Sequence, residues 1–203
     1  MKLDHVMELI ARGPLIESGE MVYVRREIEE AISQVVWPEG AADFTIHAQS
    51  GKRRGEGNGV KPIKDACMAW LHRHYSWRLE TRPAIGEGMG AGPVDAVRDT
   101  SHGIFALEWE TGNISSSHRS MNKLALGLIQ GRIAGGALIL PTRKMYAFLT
   151  DRVGNERELA PYFPLWRNVV VSAGWLGVFV VEHDRESTDV PRIGKGTDGR
   201  ALL

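Results

Sequence analysis

Between residues 21 and 36 the apolar side chains Val24, Ile28, Ala31, Ile32 and Val35 return at helical spacing, and Pro38 closes the run. That pattern predicts an amphipathic helix. Residues 44–47 predict a short strand. Residues 50–59 then mix glycine with Lys52, Arg53 and Arg54, which suits a basic loop, either simply solvated or in contact with phosphate. Pro62 opens a second helix whose stripe is Ile63, Ala66, Cys67, Trp70, Leu71 and Tyr75. The period changes in the middle of the chain. Residues 77–80, 93–98 and 103–110 are short alternating or apolar runs between glycine-rich or polar turns, and they predict three strands. A helix returns over residues 117–131, where Met121, Leu124, Ala125, Leu126, Leu128 and Ile129 cover about half the circumference, more than one core face uses. Residues 137–141 and 177–181 predict buried strands, with a short helix at 143–149 between them. Residues 191–203 are glycine-rich without an apolar period and predict an extended arm.

Strands alternating with helices imply an α/β sandwich around a mixed sheet. The chain of 203 residues, 43% hydrophobic, is sized for one domain, 1–203, with the arm at about 190–203. Its 25 basic and 25 acidic side chains cancel, so there is no long-range pull toward nucleic acid or membrane. Any binding to DNA must come from local asymmetry. The longest apolar runs fall far short of the roughly 20 residues of a membrane helix, so no membrane partner is expected. A lone Cys67 and the absence of a secretory pattern fit a reducing cytoplasm.

Charge becomes informative at the strand ends. Asp95 lies in an otherwise apolar run after Gly92-Pro93, and Glu108-Trp109-Glu110 ends the next one, where alternate side chains share a face. Were the two strands neighbours, three carboxylates would converge at one sheet edge, with Glu80 as a fourth. Crowded carboxylates call for a compensating cation, and oxygen ligands of this kind select Mg²⁺ or Mn²⁺ over softer metals. Such a site suits phosphodiester hydrolysis. The same acids could instead form salt bridges in a binding module that needs no metal.

The run from Glu108 to Lys123, EWETGNISSSHRSMNK, resembles the BamHI-like type II restriction endonucleases. Trp37-Pro38, Phe44-Thr-Ile46, Asn58-Gly59, Pro62-Ile-Lys64, Gly92-Pro-Val-Asp95, Leu149-Thr-Asp-Arg-Val153, Pro161-Tyr-Phe163 and Lys195-Gly-Thr-Asp-Gly199 follow the same family in order. The resemblance implies a PD-(D/E)xK restriction-endonuclease-like sandwich, a central mixed sheet flanked by helices. It implies Mg²⁺-dependent double-strand cleavage of the palindrome GGATCC by a homodimer, leaving 5′ overhangs and 5′ phosphates. Mn²⁺ would substitute for Mg²⁺, and Ca²⁺ would support binding without cleavage. Asp95 and Glu108 would be the central metal ligands, completed by Glu80 and the main-chain carbonyl of Trp109. Glu110 stands where the wider superfamily has lysine, and it would accept a proton from the attacking water or orient it. A catalytically silent DNA-binding dimer is the alternative from another class.

Base reading is expected at three places. Asn113 and Ser115 precede the helix expected from Ser117, with Arg119 nearby; Asn and Ser are also ordinary helix caps, and Ser116 is a candidate for that role. Asp151-Arg152 pairs an acceptor with a fork of donors, either a surface charge pair or, by the resemblance, the contact to an outer G·C pair. Asp198, Gly199 and Arg200 match the arm that reaches the minor groove, Arg200 replacing a methionine of the family pattern. Lys64 is either solvated or a phosphate contact, and the family match favours the contact. A palindromic target and the wide apolar arc at 117–131 together imply two copies paired through that helix. Trp70 and Trp175 are expected in the core.

Overall fold

The computed structural model describes residues 1–51, 56–86, 90–150 and 153–195. Eight strands are present among them: β1 (Lys2–Arg12), β2 (Thr45–His47), β3 (Arg78–Thr81), β4 (Val94–Thr100), β5 (Gly103–Trp109), β6 (Gly135–Pro141), β7 (Gly174–Glu182) and β8 (Arg185–Ser187). The helices are α1 (Pro14–Glu17), α2 (Glu20–Ser33), α3 (Lys61–Tyr75), α4 (Ile114–Ile129), α5 (Arg143–Tyr146), α6 (Glu156–Leu159) and α7 (Phe163–Arg167). A 3₁₀ turn, Ala160–Tyr162, precedes α7.

Six strands form one mixed sheet in the order β1-β7-β6-β5-β4-β3, while β2 and β8 pair in parallel beside it. The centre, β5-β6-β7, is parallel, and antiparallel strands flank it on both sides. Every residue of β6 and β7 is buried, as a parallel strand covered on both faces requires. One face packs against α2 and α3 through Ile28, Ile32, Ile63 and Leu71, which meet Phe105, Leu107 and Phe179 of the sheet. The other face packs against α4 through Met121, Leu124 and Leu128, which meet Ala106, Leu138 and Val178. Alternate residues of β5 thus serve opposite layers, and this alternation decides where the acids that follow are placed.

Two expectations shift in detail. The main helix starts at Ile114 rather than near Ser117, because Asn113 is its cap. Trp175 is buried, but Trp70 is half-buried and stacks on His74 with ring centroids 3.8 Å apart. The longest strand, β1, has no counterpart in the hydrophobic pattern. Its pairing with β7 slips between Leu3 and His5 and again between Glu8 and Ile10, so consecutive Leu9 and Ile10 are both buried and the period of two is lost.

The candidate active site

Pairing fixes the acids before their side chains are considered. In the β4–β5 ladder Ala96 faces Leu107, which sets Asp95 beside Glu108. In the β3–β4 ladder Leu79 faces Ala96 and Thr81 faces Val94, which sets Glu80 opposite Asp95. Glu80 holds this place with φ of 47°, a left-handed conformation that costs a residue other than glycine about 1–3 kcal/mol. Just past β5 the chain reaches Glu110 and then turns into α4. The Asn113 side chain accepts from the N–H groups of Ser115 (3.0 Å) and Ser116 (3.4 Å), so the cap is Asn113 and not Ser116. Ser115 and Arg119 are exposed on the first turns of that helix.

A cleft of about 420 Å³ opens here, lined among others by Pro93, Asp95, Glu108, Glu110, Arg119 and Lys123. A lysine from the helix on each side of the sheet holds one of these acids, and Lys123 also lines the cleft. Lys64 of α3 holds Asp95 Oδ1 at 2.8 Å and stands 3.8 Å from Glu80, while Asp95 Oδ2 accepts from the Trp109 N–H at 2.7 Å. Lys123 of α4 is ion-paired with Glu108 and donates to the Pro93 carbonyl at 2.6 Å. Lys64 is therefore not a solvated lysine. Burial pulls its ammonium down, but Asp95 and Glu80 outweigh burial and hold it above the usual lysine value.

The carboxyls respond to the same burial. Burial pushes Glu108 above the ordinary carboxylate range, against the pull of Lys123 and with a further push from Asp95. Burial also pushes Glu110 up to about 7. Its Oε1 accepts from the Gly112 N–H at 2.6 Å, and this N–H and the buried Ser117 hydroxyl offset part of the effect of burial. Asp95, Glu108 and Glu110 do line one cleft, but they do not close on one another. Among the described residues no three acids, histidines or cysteines gather closely enough to hold a metal ion. Lysine ammoniums occupy the acid oxygens instead.

The donor set still suits a hard divalent cation. It offers only oxygens, and cationic nitrogens already hold two of the acids. Sequence reasoning left Lys123 without a role. Its signal was available, because Ser116, Arg119, Ser120 and Lys123 recur at helical spacing opposite the apolar stripe and all line the cleft. Asp151 and Arg152, Asp198, Gly199 and Arg200, and the basic residues Lys52, Arg53 and Arg54 lie outside the described residues.

The family model for restriction endonuclease BamHI matches residues 1–200. The type II restriction enzyme OkrAI of Oceanobacter kriegii is 46% identical over 202 residues, covering 100% of both chains. The type II restriction enzyme BamHI of Bacillus amyloliquefaciens is 34% identical over 203 residues, covering 97% of this chain and 88% of its own. Among solved structures, restriction endonuclease BglII complexed with a DNA 16-mer superposes with a TM-score of 0.63 at 12% identity, over 91% of this chain and 79% of that one. At that identity the likeness speaks for the fold alone, which is restriction-endonuclease-like. A family match over nearly the whole chain, with two relatives above 30% identity, goes further: the protein belongs to the BamHI family of type II restriction endonucleases.

Proposed function

We propose that this endonuclease hydrolyses both strands of the palindrome GGATCC with Mg²⁺, leaving 5′ overhangs and 5′ phosphates, in restriction-modification defence within the bacterial cytoplasm. The observation that carries the reading is the pair Asp95 and Glu108, adjacent across β4 and β5 at the mouth of the cleft, each held by a lysine. Asp95 and Glu108 would hold the ion, completed by Glu80 and the Trp109 carbonyl. Mn²⁺ would substitute for it, and Ca²⁺ would support binding without cleavage. A bound divalent ion supplies Lewis-acid polarisation of the scissile phosphate and lowers the pKa of water at the site. Glu110, buried at the wall of the cleft, accepts the proton of the attacking water or orients it. Lys64, released from Asp95 and Glu80, faces the phosphate backbone.

Recognition uses exposed polar groups at the start of α4. Asn113 spends its Oδ1 on capping and keeps its amide donors for a base edge, while Ser115 and Arg119 face outward beside it. Asp151 and Arg152 read the outer G·C pair, and Asp198, Gly199 and Arg200 on the arm at about 190–203 reach the minor groove, the whole chain acting as one domain. DNA is the partner expected from the BglII complex as well as from the family. The enzyme acts as a homodimer. The apolar face of α4 left over after core packing, Leu126 and Ile129, is 36% and 57% exposed and supports pairing across a two-fold axis. No helix among the described residues is long and apolar enough to cross a membrane.

The test is digestion of a plasmid carrying one GGATCC sequence, with Mg²⁺ and with EDTA, followed by run-off sequencing of the ends. One Mg²⁺-dependent cut within GGATCC supports the reading. Cleavage elsewhere, or cleavage in EDTA, overturns it.

A further inference from the structure

Asn58 lies between β2 and α3, fully buried, in a stretch without regular structure. Its Nδ2 donates to the carbonyls of His47 and Phe148, both at 2.9 Å, and its Oδ1 accepts from the Ile193 N–H at 3.2 Å. Its backbone N–H donates to the Phe148 carbonyl at 2.8 Å, and its carbonyl accepts from the Thr150 N–H at 2.9 Å. One residue therefore ties together three distant stretches of chain. Only a neutral amide meets both demands, because a carboxylate in its place would set an oxygen against two carbonyls.

The chain around Asn58 is pressed against the same stretches. The Gly51 N–H donates to the Ala147 carbonyl at 3.0 Å and the Gly59 N–H to the Ile193 carbonyl at 2.9 Å. A Cβ on Gly59 would stand 2.2 Å from the Gly194 carbonyl oxygen, and one on Gly51 would stand 1.8 Å from that of Leu149. Backbone meets backbone at this junction, which leaves it little freedom to adjust.

We propose that Asn58 is a positioning residue for DNA discrimination. Thr150 is bonded to Asp151, Gly51 to Lys52, and Ile193 stands five residues before Asp198, so the junction holds the described stems of the two stretches assigned above to base and groove contact, and of the basic loop that is either solvated or in contact with phosphate. No residue of the junction lines the cleft that holds Asp95, Glu108 and Glu110. Asn58 therefore acts on selectivity and leaves the hydrolytic step alone. The proposal rests on the reading of Asp151 and Arg152 as contacts to the outer base pair.

The experiment compares kcat/KM on three duplexes: GGATCC, the same site altered at the outer pair, and the same site altered at a central pair. Asn58→Ala is set beside Val171→Ala, which removes a buried side chain from the other layer, and unfolding midpoints are recorded for both. Asn58→Ala is expected to lower discrimination at the outer pair by about tenfold, within the range of one bidentate base contact. Discrimination at the central pair and the single-turnover rate at saturating DNA should stay near the parent values, and Val171→Ala should leave both ratios unchanged. Gly59→Ala strains the same junction without removing the buried amide. It should reproduce the outer-pair effect and keeps the test open where Asn58→Ala does not fold. Unchanged outer-pair discrimination, or equal loss at both pairs, overturns the role of Asn58 while the base reading stands. A parent enzyme that does not discriminate at the outer pair overturns the base reading and the proposal with it.

Discussion

Replacing Lys123 by methionine strips the cation from Glu108 and preserves most of the side-chain volume. In the parent, the two side chains are 10% and 9% exposed, and Asp95 is the cross-strand neighbour of Glu108. Removing one partner of a buried pair costs about 3–5 kcal/mol, and the lower end applies here because the cleft opens to solvent on one side. For a chain of this size each kcal/mol moves Tm by about 2–4 °C, so Lys123→Met should melt about 6–12 °C lower in EDTA near neutral pH. Two controls isolate the cause. Adding Glu108→Gln removes the unpaired charge and should recover most of the loss. Adding Mg²⁺ or Ca²⁺ should raise Tm more in Lys123→Met than in the parent, where the ammonium competes for the same oxygens; at 100 times Kd, binding stabilises by about 2.7 kcal/mol. Thermal unfolding followed by circular dichroism reads all of this without any turnover. A drop below about 2 °C, or an identical response of parent and variant to the cation, would refute the reasoning.

Other perturbations test separate parts of the reading. Glu108→Ala should abolish cleavage and leave specific binding in Ca²⁺ largely intact, as read by gel shift and digestion; residual cutting would sink the metal assignment. Ile129→Asp buries a charge in the proposed α4 pairing, and sedimentation should show a monomer that no longer cuts both strands. A persistent dimer would place the interface elsewhere. Burial pushes Asp184 up, but the Phe44 N–H at 2.8 Å and the Met1 ammonium at 2.9 Å outweigh it and hold the carboxyl below its usual value of 3.8. Its contribution is therefore present above that value and lost as pH falls through the lower folded value. Asp184→Asn should flatten the decline in urea midpoint as pH falls below about 4, and parallel profiles would contradict the linkage.

The elements with one strong period were legible in the sequence. The stripe Val24, Ile28, Ala31, Ile32 marks α2, and the apolar runs at 137–141 and 177–181 mark the buried strands β6 and β7, because a helix face or a doubly covered strand writes its environment directly into hydrophobicity. Elements whose period is broken were not. The slips in β1 scramble its alternation, and α6 and α7 are single turns too short to display a stripe.

The site divides along the same line, between what is local and what comes from afar. Strand periodicity places Glu108 and Glu110 near each other, and the adjacency of Asp95 needs only a hairpin, so the acids could be nominated from the chain itself. Their neutralisation could not. Lys64 and Asp95 are 31 residues apart, and it is the packing of α3 on one face and α4 on the other that brings an ammonium to each acid. Asn58 lies further beyond reach, since its partners at His47, Phe148 and Ile193 share no period or motif with it and meet only once the fold has closed. Local sequence therefore names the candidate acids, and tertiary packing supplies the charges and stems around them. For this reason the lysines and the buried amide, more than the acids, are where a change would separate binding, discrimination and hydrolysis from one another.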